Sequence, residues 1–388
     1  MDFITSVCTG CRACEQICPQ KAISFNPDEA GFFTAVIDQN KCIDCKLCLK
    51  TCPQNNHVQL NNPQKIFAAQ SKNVFFLKKS ASGGIFATFA KSVLDEKGIV
   101  YGVKYDNEWN AVFSRATKEE DLVPLLSSKY VQANTQNSFL NVKKNLQENK
   151  KVLYCGTGCQ IAGLKSFLKR DYSNLLTIDI VCHGVASPVF FKKYIQWKEK
   201  KESGKISFYN FRSKANGWGL EYEYEINGKR KTAINSIDPY YFSFLKGYSY
   251  RECCYGCNYS KPQRCGDITI CDYWGIEKEH PKFPYDKGAS AVLINTVKGL
   301  SLWNESSNLF TVEETTFEQV AKYNENLYRP TQRNSILRDN FYKGIMDNDS
   351  DWFSSFANNF KPSLAGRVKA LMPSKLLHFL KKLKKCLT

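Results

Sequence analysis

Cys8-Thr9-Gly10-Cys11-Arg12-Ala13-Cys14-Glu15-Gln16-Ile17-Cys18-Pro19 and Cys42-Ile43-Asp44-Cys45-Lys46-Leu47-Cys48-Leu49-Lys50-Thr51-Cys52-Pro53 are one pattern written twice, offset by 34 residues throughout. Each copy reads C-x2-C-x2-C-x3-C-P. The two-residue spacings let backbone turns wrap the corner of a compact inorganic body and aim amides at its sulfur atoms. The proline after each fourth cysteine ends the local helix and sends that cysteine away from the other three.

This is the bacterial two-cluster 4Fe–4S ferredoxin signature. Three close cysteines hold one cubane while the fourth reaches across to the other. Cys8, Cys11, Cys14 and Cys52 are assigned to one cluster, and Cys42, Cys45, Cys48 and Cys18 to the second. Zinc ribbons, the alternative for dense cysteines, lack the third cysteine of each triplet and the proline. Between the copies, Gly31–Asp38 reads as a short strand pairing with Ala22–Phe25. The protein is therefore expected to move electrons one at a time.

Working outward, the 388-residue chain has material for a large core beyond this module. No run of 18 uncharged apolar residues is present, so no segment is expected to span a membrane. The first residues carry neither a basic region nor an apolar stretch, which points to a cytoplasmic protein. Seventeen cysteines, an odd number, fit cluster ligation in a reducing compartment better than a disulfide framework. The formal charge of +17 is uneven, because residues 361–388 hold eight Lys/Arg and no Asp/Glu. Each oxidised cluster with four thiolates adds about −2, so three of them leave the body at roughly +3. Nucleic-acid binding is thereby a minor reading.

The chain divides into a ferredoxin domain at 1–60, an oxidoreductase domain at 65–360 and a basic amphipathic tail at 361–388. A polar stretch, 54–64, reads as the linker. Strands are expected at 66–69, 99–103, 152–155, 175–182, 206–211, 267–271 and 291–295. A hairpin is expected at 220–226/229–234 around Asn227-Gly228. Helices are expected at 84–96, 160–169 and 189–202, the last opened by Ser187-Pro188. The fold class is α+β, a ferredoxin-like module followed by an α/β mixed-sheet domain. In the tail, Val368, Leu371, Leu376, Phe379, Leu380, Leu383 and Leu387 fall at helical spacings between lysines, with Pro373 limiting the continuous helix.

Of the nine remaining cysteines, Cys254-x2-Cys257 is the only other close pair at ligand spacing. Cys253 and Cys265 lie near it, Cys155 and Cys159 flank Gly156-Thr157-Gly158, and Cys182 precedes His183-Gly184. Spacing alone suggests a third cluster without excluding buried free thiols. Ser82-Gly83-Gly84, Gly156-Thr157-Gly158-Cys159-Gln160, Val181-Cys182-His183-Gly184, Cys254-x2-Cys257 and Asp267-Ile268-Thr269-Ile270-Cys271-Asp272-Tyr273-Trp274-Gly275 occur in that order. Over roughly residues 1–335 the chain resembles the β-subunit family of coenzyme F420 (deazaflavin) hydrogenases and dehydrogenases, of the type found in polysaccharide loci.

The resemblance implies an FAD-binding domain with a third 4Fe–4S cluster beside the flavin, held by Cys159, Cys182, Cys254 and Cys257. Gly158 stands where the family has proline, which is expected to loosen the turn carrying Cys159. Cys271 stands where the family commonly has glycine. Ser80-Ala81-Ser82-Gly83-Gly84 precedes a helix and, by the resemblance, places Ser82, Gly83 and Gly84 at the flavin. From the residues alone this reads as an ordinary Ser-capped helix. Ser127-Ser128-Lys129-Tyr130 matches a family motif near the site, so Ser128 and Lys129 join the cofactor-binding candidates. Lys129 and His183 are the catalytic candidates, each with a plain structural alternative. Asp272, Tyr273 and Trp274 are candidates for packing near the site, and Arg212 for pairing with an anionic substrate or for solvation. No G-x-G-x-x-G follows a strand, so a nicotinamide site is not indicated.

The reading is an iron–sulfur flavoprotein oxidoreductase. It takes electrons from a ferredoxin or other low-potential donor, passes them through 4Fe–4S clusters to FAD, and delivers them to a substrate. The alternative is a non-catalytic electron-transfer subunit serving a partner enzyme. The tail is expected either to lie on an anionic membrane surface or to pack on the body.

Overall fold

The computed structural model describes residues 8–347, 349 and 351–372. Its strands are β1 (Ile23–Pro27), β2 (Phe33–Ile37), β3 (Lys65–Ser71), β4 (Ile99–Tyr105), β5 (Ala111–Ala116), β6 (Val152–Thr157), β7 (Leu175–Ile180), β8 (Ile206–Ser213), β9 (Glu221–Ile226), β10 (Lys229–Ile234), β11 (Ile268–Asp272), β12 (Ser290–Ile294) and β13 (Phe310–Glu314).

The cysteine repeat is repeated in the backbone. Arg12 and Lys46, each between the second and third cysteine of its copy, adopt left-handed conformations with φ of 62° and 59°. Each opens a five-residue helix, Ala13–Ile17 or Leu47–Thr51, that ends at an extended Cys18 or Cys52 ahead of its proline. β1 and β2 pair antiparallel as expected, with Phe25 and Ala35 facing each other.

Beyond Lys65 an eight-stranded mixed sheet runs in the order β13-β3-β12-β11-β7-β6-β4-β5. The central four strands, β11, β7, β6 and β4, are parallel, and the outer pairings are antiparallel. Adjacent residues of the central strands point to opposite, equally buried faces. Val152, Tyr154 and Leu175 enter the core beneath helices Ser138–Gln147 and Gly158–Leu168, which supply Phe139, Ile161 and Leu164. Leu153, Leu176 and Ile178 enter the other face, under Ile85, Phe89 and Val93 of helix Ile85–Asp95. Strands buried on both sides read as apolar runs, which is why their positions were legible.

β8, β9 and β10 form a separate antiparallel sheet. The Asn227-Gly228 loop has positive φ at both residues, 51° and 71°, the geometry of a tight hairpin turn. The edge strands β5 and β13 were not anticipated from sequence. Each is defined by its pairing with β4 or β3 rather than by a pattern of its own.

The polar stretch 54–64 is bonded to the large domain. Asn61 and Arg264 exchange both backbone bonds, at 2.8 and 2.9 Å, and Gln64 donates to the Ile294 carbonyl at 2.7 Å. Among the described residues no helix is long and apolar enough to cross a membrane. The tail's first part is a helix, Leu364–Leu371. The expected apolar positions from Leu376 onward lie outside the described residues.

Candidate functional site

The parallel strands β4, β6, β7 and β11 all present their C-terminal ends to one edge, where ligand-binding loops of α/β sheets gather. Cys159 follows β6, Cys182 follows β7 and Asp272 closes β11. Three cysteine- or loop-lined spaces stack there.

The first is enclosed by Cys8, Cys11, Cys14 and Cys52, with Thr9, Phe25, Ala35 and Gln54. The fourth cysteine of the second copy thus stands with the first three of the other. Cys18 instead packs beside Cys48 under Phe25 and Phe33, and the charges of Cys18 and Cys45 act on the Cys48 thiol. The Cys18 sulfur accepts the Ala22 amide at 3.4 Å.

The second space is walled by Cys159, Cys182, Cys253, Cys254 and Cys257, with Thr9 and Gln54 of the N-terminal module. The Cys257 sulfur accepts the Tyr259 amide at 3.4 Å, and Thr157 Oγ1 lies 3.1 Å from the Cys159 sulfur. Cys265 does not line this space. It is buried, and its thiol donates to the Gly158 carbonyl at 3.2 Å.

Burial pushes the Cys11 thiol up to about 12 and raises Cys14, Cys159, Cys182 and Cys257 as well, with neighbouring thiolates adding to each. A bound metal centre would displace these protons and hold the thiolates. Among the described residues no three His, Cys, Asp or Glu groups are arranged to hold a single ion. The thiols surround spaces instead, and this donor set fits clusters with iron at their corners.

Gly158 does not loosen the turn before Cys159. A Cβ there would meet Tyr259 Cβ at 2.7 Å, so Tyr259 occupies the place a proline ring would need. The turn is held by Gln160, whose side-chain oxygen accepts the Thr157 amide at 2.9 Å. Beneath it, Arg264 pairs with the buried Asp179 at 3.0 Å and donates to the Tyr259 carbonyl at 2.7 Å.

The third space is a cavity of about 260 Å³ lined by Ser80, Ser82, Gly84, Ser128, Lys129, Tyr130, Asp272 and Trp274, among others. It shares Thr157, Gln160, Cys182, His183 and Gly184 with the second space. Helix Ile85–Asp95 starts here on Gly84, at φ +80°, and no side chain caps it. The Ser-capped alternative is thereby replaced by first-turn amides at the cavity wall. Ser82 instead donates to the Ala289 carbonyl at 2.6 Å.

Gly83 is set apart from the other cofactor candidates. Its amide donates to Ser290 Oγ at 2.9 Å, and a Cβ would lie 2.5 Å from the Ala69 carbonyl, so it serves close packing between β3 and β12. Lys129 Nζ donates to the carbonyls of Leu126, Pro124 and Ser127 at 2.6, 3.0 and 3.3 Å. Burial draws its ammonium down to about 7, against which these carbonyls hold the charge. His183 lies at the boundary of the two spaces, where burial draws its imidazole below the usual histidine range, and its carbonyl accepts Thr331 Oγ1 at 3.2 Å.

Arg212 is neither solvated nor free for an anion. It is buried and bound bidentately to Asp272 at 2.6 and 2.9 Å, beneath Trp274. Tyr273 is core, bonded to Thr315. Cys155 and Cys271 line the third space, away from the cysteine-walled one.

Sequence reasoning missed the residues that seat the module. Gln16 accepts the Phe139 and Leu140 amides, Thr135 donates to the Cys11 carbonyl at 3.0 Å, and Gln132 accepts the Phe33 amide at 3.2 Å.

Residues 149–319 match the family described as the C terminus of the beta subunit of coenzyme F420 hydrogenase/dehydrogenase, and residues 7–56 match the 4Fe–4S dicluster domain. An uncharacterized protein of Methanocaldococcus jannaschii is 24% identical over 196 residues, 43% of this chain. The chain spans about half, 54%, of that relative's length. Ferredoxin-2 of Chlorobaculum tepidum is 45% identical over 56 residues, 13% of this chain and 82% of the ferredoxin. Among solved structures, a chain of the F420-reducing NiFe hydrogenase complex from Methanosarcina barkeri aligns at 17% identity and a TM-score of 0.45, covering 76% of this chain and 93% of that one. The dicluster match and the likeness to ferredoxins mark residues 7–56 as an iron–sulfur domain of the ferredoxin kind. The chain thus carries a 4Fe–4S dicluster domain in residues 7–56 and is related through residues 149–319 to the beta subunits of coenzyme F420 hydrogenases and dehydrogenases.

Proposed function

We propose that the chain is an iron–sulfur flavoprotein oxidoreductase that takes electrons from a ferredoxin-like donor and passes them through 4Fe–4S clusters to FAD and on to a substrate. The observation carrying this reading is the shared wall. Thr157, Gln160, Cys182, His183 and Gly184 line both the five-cysteine space and the cavity of about 260 Å³, so a cluster in one adjoins a ring system in the other. Clusters move single electrons and a flavin collects two and delivers a hydride equivalent, so the cofactors supply the redox chemistry.

The residues have supporting parts. Cys8, Cys11, Cys14 and Cys52 hold one cluster, Cys42, Cys45, Cys48 and Cys18 the second, and Cys159, Cys182, Cys254 and Cys257 a third. Gly84 and the first turn of helix Ile85–Asp95 offer amides to a phosphate of FAD, with Ser82 and Ser128 beside them. Lys129 sits where a cation steadies the flavin or a substrate anion. His183, at the boundary of the two spaces, would act as the proton donor. The division into a ferredoxin domain at 1–60 and a flavin domain at 65–360 follows from the same assignment.

Metal and flavin analysis of anaerobically purified protein tests this. About twelve irons and twelve labile sulfides per chain, with non-covalent FAD released on denaturation, are expected. Protein replete in iron that binds no flavin is an electron-transfer subunit for a partner enzyme. About eight irons removes the third cluster.

A membrane surface is the proposed partner of the tail. In helix Leu364–Leu371, Leu364, Val368 and Leu371 stay exposed, Leu371 at 86%, while Gly366 alone is buried, against Ser236. This apolar stripe sits in a segment of eight basic and no acidic residues, a composition suited to anionic lipid.

A further inference from the structure

The eight thiols of the N-terminal module occupy unequal places. The space of Cys8, Cys11, Cys14 and Cys52 faces inward and shares Thr9 and Gln54 with the five-cysteine space. Cys11 packs so closely on helix Gly158–Leu168 that a methyl group on Gly163 would stand 3.0 Å from its sulfur. Cys159 heads that helix, and the Cys11 charge acts on its thiol. The other group faces out. Cys45 is exposed, Ile43 beside it is 61% exposed, and Lys41, Lys46 and Lys50 are exposed around them.

Electron transfer weakens steeply with distance, so such an order of sites has one direction open to an external protein. Resting on the cluster assignment above, we infer that the Cys42–Lys50 corner is the docking surface for a small acidic one-electron carrier protein, with the Cys8/Cys11/Cys14/Cys52 group as an internal relay. Ile43 supplies the exposed apolar contact and Lys46 and Lys50 the complement to carboxylates, while Lys41 is paired with Asp38 at 3.0 Å and Asp44 is the one acidic side chain in residues 41–50. In the step, the carrier is oxidised by one electron and the iron held by Cys18, Cys42, Cys45 and Cys48 is reduced by one. No bond or proton moves.

The test is anaerobic stopped-flow bleaching of the iron–sulfur absorbance of the holoprotein at low salt, by a reduced acidic two-cluster ferredoxin and, separately, by dithionite. Ile43→Glu and the double variant Lys46→Gln/Lys50→Gln are each expected to slow the ferredoxin reaction roughly tenfold, with the dithionite rate unchanged. Rising ionic strength slows the unaltered protein and leaves the lysine variant nearly flat. Lys229→Glu, on exposed β10, controls for overall charge and is expected to change nothing. Ferredoxin rates equal to the unaltered protein in both docking variants, or an equal loss in Lys229→Glu, overturn the inference. Iron and FAD content report separately on the cofactor assignment, so a wrong docking corner and a wrong cofactor reading are told apart. Should Ile43→Glu lose iron, the lysine variant decides alone.

Discussion

Arg251 Nε donates to the Cys8 carbonyl at 2.7 Å, tying a loop of the five-cysteine space to the first cysteine of the N-terminal module. The same guanidinium donates to the Phe33 carbonyl at 3.0 Å and lies over the Phe32 ring, while its backbone joins Val185 and Cys254. At 4% exposure, it fixes two cysteine-lined spaces in one frame. Arg251→Ala strands the Cys8 carbonyl, leaves the Phe33 carbonyl only the Gln132 side-chain amide at 3.4 Å, and removes the cation over Phe32. A loss of about 2–4 kcal/mol is expected in anaerobic denaturant unfolding. Cleavage within residues 54–64 in limited proteolysis should accelerate, whereas Arg251→Lys, keeping the charge and one bond, should fall between.

Gly158 and Tyr259 are predicted to be coupled. Gly158→Ala forces a methyl group into the Tyr259 side chain, which costs about 1–3 kcal/mol in thermal unfolding. Tyr259→Ala opens that space, so the double variant should be more stable than the sum of the single losses allows. Additive losses would show that the turn is held otherwise.

Cysteines near one another in sequence are predicted to differ in iron content. Cys257→Ser should lose about four of twelve irons and leave the ferredoxin-type signals intact, because Cys257 walls the five-cysteine space. Cys265→Ser should keep all of them, since that thiol is bonded to the Gly158 carbonyl outside it. Iron and sulfide assays with electron paramagnetic resonance read both.

The exposed stripe of Leu364, Val368 and Leu371 is predicted to bring the chain onto anionic vesicles. Full-length protein should float with them at low salt and detach above a few hundred millimolar, as surface attraction is screened. A chain ending at Phe360 should stay behind. Equal behaviour of the two would make the tail a structural element.

The 4Fe–4S dicluster domain was legible in residues 8–53, because the cysteine spacing that such a domain needs is local and stands in the sequence. The central strands were legible for a similar reason, since burial on both faces writes an unbroken apolar run. Tertiary structure alone decided which later cysteines stand together. Cys253, Cys254 and Cys257 wall one space, Cys271 lines another and Cys265 faces away, although the spacing around 253–265 makes several of them equal candidates. It also decided that Arg212 is consumed by Asp272, that Tyr259 takes the room above Gly158, and that Arg251 clamps Cys8. Each of these joins residues distant in the chain at one pair of side chains or groups. Such a pairing produces neither a periodicity nor a spacing, and only the folded chain reveals it.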